Sequence, residues 1–365
     1  MLKIQLNLPS KYSNIILMKK SINKLILSLI ISLFLISSFY GQAQNYQISA
    51  IGFYNLENLF DTIDSPNVRD AEFLPNSAKH WNSERYYYKL DHMAKVLSEI
   101  ATDKTPAGLA AFGISEVENI GVIEDLINRP ALKDRHLKIV HYDSPDRRGI
   151  DVALVYRPDY FTVTNSASVR LHTGDTNFIT RDQLVVTGLL LGEEVHFIVN
   201  HWPSRSGGEK RSRPKRNAAA QLSRHLADSL LAIDPNAKVM IMGDLNDDPT
   251  NLSVAKYVKG TDDKSKLNDG YFYNPFLTLY KKGIGSLAYR DSWNLFDQII
   301  LTPALMSENK STWTYFRAHI FKKPYMINQE GRYKGYPKRS FVGNKFQGGY
   351  SDHLPVYIYL VREIK

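Results

Sequence analysis

Val239-Met-Ile-Met-Gly-Asp-Leu-Asn-Asp-Asp-Pro249 sets an unbroken apolar run directly against three carboxylates and an amide. A short apolar run stopped by a turn signal reads as a strand covered on both faces. Gly243 opens the turn. If the backbone stays extended beyond it, the two-residue period puts Asp244 and Asn246 on one face and Leu245 on the other. A carboxylate able to take a proton from water and an amide able to hold an electrophile would then share a cleft. An Asx-rich turn, with Asp247, Asp248 and Pro249 capping backbone amides, accounts for the same letters. The stretch alone leaves both open, and Asp247 and Asp248 are read as turn residues.

The same punctuation recurs on either side. A strand over 47–54 runs into Asn55-Leu56-Glu57-Asn58, where alternation puts Asn55 and Glu57 on one face, and 109–114 ends in Ser115-Glu116-Val117-Glu118-Asn119. The strand 195–200 ends in His201-Trp202-Pro203-Ser204, and 297–301 begins with Asp297. Before the last strand, 356–360, stands Ser351-Asp352-His353-Leu354-Pro355. Neighbours on a regular strand face opposite ways, so Asp352 and His353 reach one cleft only from a loop, which Pro355 allows. Further strands are expected over 136–142, 150–156, 161–169 and 183–191, and helices over 84–100, 120–127 and 214–232, the last with Pro214 in its first turn. Residues 62–82 and 255–269 read as loops, 310–350 as irregular chain with a mobile loop at 340–349. Helices intervening among many strands, without repeats, describe a layered α/β domain.

With 43% hydrophobic and 23% charged residues in 365, the chain is an ordinary globular one with length for a large core. Its net charge of +9 invites a polyanion partner, but five of the 46 basic residues and none of the 37 acids lie in residues 1–43, which leaves 41 against 37. That balance is weak evidence for nucleic acid. Residues 1–43 read instead as a secretory signal: Met18-Lys19-Lys20, an apolar run over 25–39, then Gly41-Gln42-Ala43, with initiation at Met18 an option. The run is short for a membrane-spanning helix, which needs about 20 residues. The expectation is a signal peptide at 1–43 and one catalytic domain at 44–365, secreted or periplasmic, without a transmembrane anchor. The absence of cysteine excludes disulfides, thiolate catalysis and Cys-ligated zinc.

In their order, these motifs resemble the endonuclease/exonuclease/phosphatase superfamily, the fold of DNase-I-like and exonuclease-III-like nucleases, inositol polyphosphate phosphatases and bacterial sphingomyelinases. The resemblance covers about 51–360 and is most specific at Gly243-Asp244-Leu245-Asn246, Phe296-Asp297-Gln298-Ile299-Ile300 and Ser351-Asp352-His353-Leu354-Pro355. It implies a four-layer α/β sandwich, two mixed β-sheets packed face to face with helices outside. It also implies that Glu116, Glu57 and Asp352 serve a divalent metal, Mg²⁺ with Mn²⁺ as substitute, with Asn55 nearby on metal or substrate. Asp244 would activate the attacking water and Asn246 bind a phosphate oxygen. Asp297 would orient His353 against the phosphate, and His201 would donate to a non-bridging oxygen. Residue by residue, a helix-capping Glu116, a surface Glu57 and a structural His201 are the alternatives.

Arg147-Arg148 and the cluster from Lys210 to Arg216 either grip flanking phosphates or are solvated charges. Arg148 and Arg216 are the contacts expected if they bind. The resulting reading is an exported, metal-dependent phosphodiesterase, monomeric and without a stable protein partner, acting as an endonuclease on DNA or RNA. A lipid or sugar phosphoesterase on the same scaffold is the alternative. A non-catalytic binding protein that has kept the fold is more remote.

Overall fold

The computed structural model describes residues 18–29, 45–175 and 177–364. It divides into two units, one ending at Asn45 and one spanning Tyr46–Ile364. Of the first, residues 18–29 form a helix, α1, whose side chains are exposed; the remainder of the expected leader lies outside the described residues. Among the described residues, no helix is long and apolar enough to cross a membrane.

The second unit is built on two sheets. One is ordered β14-β17-β1-β2-β4-β3, from Thr314–Ile320, Val356–Glu363, Tyr46–Leu59, Ala111–Val117, Asp151–Tyr156 and Lys138–His141. The other is ordered β5-β6-β7-β8-β13-β10-β9, from Phe161–Val169, Gln183–Leu190, Glu193–His201, Val239–Asp244, Asp297–Leu301, Phe272–Tyr273 and Gly260–Thr261. Both are mixed, because β1 pairs β2 and β7 pairs β8 in parallel while their other main pairings are antiparallel. Helices α2 (Ser83–Glu99) and α3 (Ile120–Ile127) cover the first sheet, and α4 (Glu209–Ile233) covers the second. A short α5 (Pro275–Lys281) and the ribbons β11–β12 (Leu287–Tyr289, Ser292–Asn294) and β15–β16 (Phe341–Val342, Lys345–Phe346) complete it. This is the expected four-layer sandwich.

The alternation of the central strands explains the layers. In β8, Met240 and Met242 enter the core between the sheets while Val239 and Ile241 pack under α4. In β13, Ile299 and Leu301 face the inter-sheet core and Ile300 the helix side. Strand β1 divides the same way, with Ile51 and Phe53 inward and Ala50 and Tyr54 towards α2. A strand apolar on both faces is the signature of a sheet covered on both sides. Counting on by twos from the inward residues reaches Asn55, His201, Asp244 and Asp297 where apolar side chains stop. The site therefore sits at one edge of the inter-sheet core.

Three sequence expectations need correction. Helix α4 begins at Glu209, so Pro214 lies inside it, near enough to the N-terminus that few intrahelical bonds are lost. The segment 310–350 contains β14, which pairs with β17 and was hidden by its half-polar composition. The segment 255–269 begins inside a π-helical turn at Ser253–Val258 and contains a 3-10 helix at Lys264–Asp269.

Candidate active site

Register brings the central groups together. Strand β8 pairs His201 with Asp244 on one side and Asp297 with Asp244 on the other, so the three form one row across β7, β8 and β13. Gly243 makes that row possible: at φ 156° it approaches Asn200 so closely that a Cβ would stand 2.2 Å from the Asn200 carbonyl oxygen. From the facing sheet, Asn55 donates its amide to Asp244 Oδ2 at 3.0 Å, while its Oδ1 accepts the Glu57 N–H at 2.9 Å. Asn55 thus positions Asp244 with its amide nitrogen while its oxygen is held by the Glu57 backbone, a different role from the substrate contact expected of it.

His353 comes from the loop before β17, as its spacing to Asp352 requires. The Ser351 hydroxyl donates to the Asn55 carbonyl at 2.7 Å and accepts the His353 N–H at 3.1 Å, which ties the loop to β1. His353 Nδ1 lies 2.7 Å from Asp297 Oδ2, which also accepts the Ser286 hydroxyl at 2.5 Å. The other ring nitrogen, Nε2, faces Asp244 Oδ2 at 3.8 Å. Burial works against charge on His353, but Asp297 and Asp244 outweigh it and hold the imidazole well above its ordinary range. His201 is the opposite case: burial, then Arg181 and Arg148, push it well below, so it is neutral. Its Nε2 lies 3.6 Å from Asp244 Oδ2 and 3.7 Å from Glu116 Oε1. Burial raises Asp244 to about 6 despite the opposing pull of His353. Such a carboxylate is ionised at neutral pH and still basic enough to accept a proton.

Asn246 N–H donates to Asp244 Oδ1 at 2.9 Å, and one hydrogen of its side-chain amide goes to the Trp202 carbonyl at 2.9 Å. The amide has a second hydrogen for a ligand. Asn246, Glu57, Asn58 and Glu116 all have φ between 50° and 59°, a left-handed conformation that non-glycine residues adopt sparingly and that clusters at functional sites. At Glu57 and Glu116 this breaks the strand alternation and turns side chains that simple parity would misplace.

The three expected metal ligands fare differently. Glu116 Oε2 accepts the Asn58 N–H at 2.8 Å, while the charged groups near Oε1 among the described residues are His201 and Arg148, each at 3.7 Å. A carboxylate oxygen without a hydrogen bond, with the His201 ring 3.7 Å away, can serve as a direct ligand to a hard divalent cation that keeps waters at its other positions. Glu57 is buried, and both its oxygens are engaged, by Arg339 Nε at 2.9 Å and the Ser340 N–H at 2.7 Å. Burial and Asp352 push Glu57 up to about 7. Asp352 is bridged to the same guanidinium at 3.0 Å. Arg339 thus neutralises Glu57 and Asp352 together. Sequence reading missed this partner, and it missed Lys89, buried on α2 and donating to Ser340 Oγ at 2.6 Å.

Arg148 is half-exposed beside Glu116, in reach of a ligand. Arg216 is corrected: it is fully buried, its Nε 2.8 Å from Asp247 Oδ1, and no phosphate can meet it there. Asp247 and Asp248 are more than turn residues. Asp247 accepts Ser253 Oγ at 2.6 Å and Asp248 the Leu295 N–H at 2.8 Å, and Arg205 contacts both carboxylates. They hold the loop that follows β8.

A four-layer α/β sandwich with a carboxylate–imidazole pair, a buried carboxylate able to act as a base and a carboxylate oxygen without a hydrogen bond at one sheet edge is an arrangement suited to phosphoester hydrolysis. The chain belongs to the endonuclease/exonuclease/phosphatase family, whose model matches residues 50–362, and it is accordingly a phosphoric ester hydrolase. Enzymes of this family are generally dependent on a divalent metal. No curated protein matches the sequence. Among solved structures, a family member from Bacteroides thetaiotaomicron is 17% identical over 88% of this chain and 100% of its own, with a TM-score of 0.51. The mannosyl-6-phosphatase of Bacteroides thetaiotaomicron is 16% identical over 86% and 99%, with a TM-score of 0.52. The catalytic domain of human Nocturnin, solved with a bound sulfate anion, is 16% identical over 88% and 98%, with a TM-score of 0.51. At these identities the likeness is one of fold.

Proposed function

We propose that this protein is an exported phosphodiesterase that cleaves nucleic acid, with Mg²⁺ as its metal and Mn²⁺ as a substitute. The observation that carries the diester reading is a pair of hollows that share Arg339 as a wall, one towards Glu116 and one towards His353. One, of about 290 Å³, is lined by Glu57, Asn58, Arg148 and Arg339, and its Asn58 and Arg148 contact Glu116. The other, of about 600 Å³, is lined by Leu287, Arg339 and Asp352, and its Leu287 bridges His353. A substrate that continues on both sides of the reacting phosphorus uses both; a small monoester needs one.

In this mechanism Asp244 takes the proton of a water whose oxygen attacks phosphorus, and the ester bond on the opposite side breaks, its oxygen taking a proton from solvent. His353, charged and fixed by Asp297, holds a non-bridging oxygen; neutral His201 and the free hydrogen of the Asn246 amide donate to the oxygens where negative charge builds. Arg148 lies on the entry side for a flanking phosphate. Glu116 would hold the metal, with Asp352 and Glu57 behind it through Arg339; when bound, the metal supplies positive charge to the phosphate oxygens.

Purified 44–365, assayed with Mg²⁺, Mn²⁺ or chelator on plasmid DNA, RNA, bis-p-nitrophenyl phosphate, a phosphomonoester and sphingomyelin, tests the proposal. Metal-dependent cleavage of DNA or RNA is expected, and turnover confined to the monoester or to lipid would sink the nuclease reading. Hydrolysis of a sugar phosphate is the second reading, favoured by the mannosyl-6-phosphatase among the structural relatives. Export is tested by fractionating producing cells and sequencing the N-terminus, with cleavage expected near Ala43.

A further inference from the structure

The larger hollow has a composition that phosphate chemistry alone does not explain. It lies between the β11–β12 hairpin and the 328–347 segment, and its walls include Tyr289, Tyr333 and Tyr336 together with Arg290 and Arg332. Tyr289 and Tyr333 are exposed, at 60% and 40%. Aromatic rings left in water at the mouth of a catalytic cleft present flat apolar area to a ligand. Tyr336 is occupied otherwise, since its hydroxyl accepts the Asp291 N–H at 2.6 Å and donates to Asp291 Oδ1 at 2.6 Å. These two hydrogen bonds tie the hairpin turn, left-handed at Arg290 and Asp291, to the opposite wall. The hollow is therefore held open, with Tyr289 on one wall and Tyr333 on the other.

Charge narrows the ligand. Arg290 and Arg332 each stand over the ring next to them, 5.2 Å from the Tyr289 centroid and 5.7 Å from the Tyr333 centroid. Rings bordered by guanidinium groups suit a planar base carried on a phosphate backbone, because stacking and charge act on the same ligand. The floor of the hollow reaches the chemistry directly: Leu287 bridges His353 across the strand edge, and Asp352 is in the lining.

Resting on the nuclease reading above, we propose that the hollow between Tyr289 and Tyr333 is a subsite for one unpaired nucleobase beside the cleaved phosphate, which makes single-stranded nucleic acid the substrate class. A base inside a duplex is already stacked on its neighbours and cannot enter. The subsite is tested by steady-state kinetics on a single-stranded oligonucleotide, its duplex, and single strands in which one nucleotide is abasic at successive positions. The wild-type protein should prefer the single strand, and one abasic position next to the cut should raise KM about tenfold, the size of one lost base–aromatic stack. Changing Tyr289 and Tyr333 together to Ala should remove the difference between normal and abasic strands, and changing both to Phe should restore it. Cleavage of DNA or RNA with the same KM for normal and abasic strands, or a preference for duplex, overturns the subsite and leaves the nuclease reading standing. Turnover of sugar phosphate without any cleavage of nucleic acid overturns both.

Discussion

Asp297 on β13 is the direct cross-strand partner of Asp244 on β8, yet the two carboxylates serve different atoms. Asp244 faces the cleft with Oδ2 shared by Asn55, His201 and His353, whereas Asp297 Oδ2 is committed to His353 Nδ1 and Ser286. Two acids side by side repel unless a cation lies between them, and the imidazolium of His353 supplies it. In the proposed mechanism Asp297 acts only through His353, which it contacts directly.

Asp297→Asn keeps the shape and removes that charge. The imidazole loses the partner that fixes its tautomer and raises its affinity for a proton, so kcat should fall by roughly 10²- to 10⁴-fold. KM should change little, since Asp297 does not reach the substrate. Equal kcat in mutant and wild type would refute the relay, and a proton NMR titration of His353 would show whether the ring had lost its raised pKa.

Gly243→Ala tests the backbone beneath the row. Its methyl would stand 2.2 Å from the Asn200 carbonyl oxygen and 2.7 Å from Asn200 Cβ, neither of which is the free end of a flexible side chain. Strands β7 and β8 must separate locally, at a cost of about 1–3 kcal/mol. Urea denaturation should show that loss together with lower activity, because His201 and Asp244 are paired across the same two strands. A variant as stable and active as wild type would mean that the close approach is not maintained in solution.

Much of the site was legible because β7, β8 and β13 are buried on both faces. Their apolar runs announce themselves, and the polar residue where each run stops lies in the site. The bends were not legible. No local letter marks Glu116 or Glu57 as left-handed, and the conformation is imposed by the bulges where β1 and β2 leave register. Arg339 was invisible for another reason: it lies 282 positions from Glu57 in a Lys-, Gly- and Tyr-rich segment whose arginines look alike. Arg216 misled in the other direction. A basic run at a helix start looks solvated, and only burial separates Arg216 from its exposed neighbours.

Arg216→Met should destabilise the fold by about 3–5 kcal/mol, the range for leaving a buried charge unpaired. Asp247 would lose its closest cation, and Arg205, which also carries Asp248, compensates only in part. The double change Arg216→Met with Asp247→Leu should recover part of the loss. If thermal unfolding of the single variant matches wild type, the pair contributes no net stability. Salt dependence of DNA cleavage should be unaltered in whatever folded protein remains, as Arg216 cannot reach a phosphate.

Stability should fall with acid through histidines far from the site. His196 is buried, with Thr187 Oγ1 2.9 Å from its Nδ1, and burial lowers its pKa against a weaker opposing pull from Glu194. A folded-state pKa below the unfolded value of about 6.5 means that the unfolded chain takes the proton first as pH drops. The contribution is thus fully present above about 6.5 and is lost as pH falls from there through the folded value. Urea midpoints measured from pH 8 to pH 5 should decline below about 6.5, less steeply in His196→Gln. A slope identical in the two proteins would assign the acid sensitivity to other groups.

Glu116→Gln separates metal binding from the rest of the site. Its Oε2 partner, the Asn58 N–H, can be retained by the amide oxygen, so the fold should be kept while the charge at Oε1 is lost. Divalent cations hold to carboxylates far better than to amides. Calorimetric titration with Mg²⁺ should therefore show binding weakened at least about tenfold, the loss typical of altering a metal's ligand environment. Asp244→Asn, which leaves Glu116 untouched, should lose turnover with a smaller change in that affinity. If the two variants bind Mg²⁺ as wild type does, the metal is held elsewhere. If Asp244→Asn alone weakens it, the base and the ligand have been assigned the wrong way round.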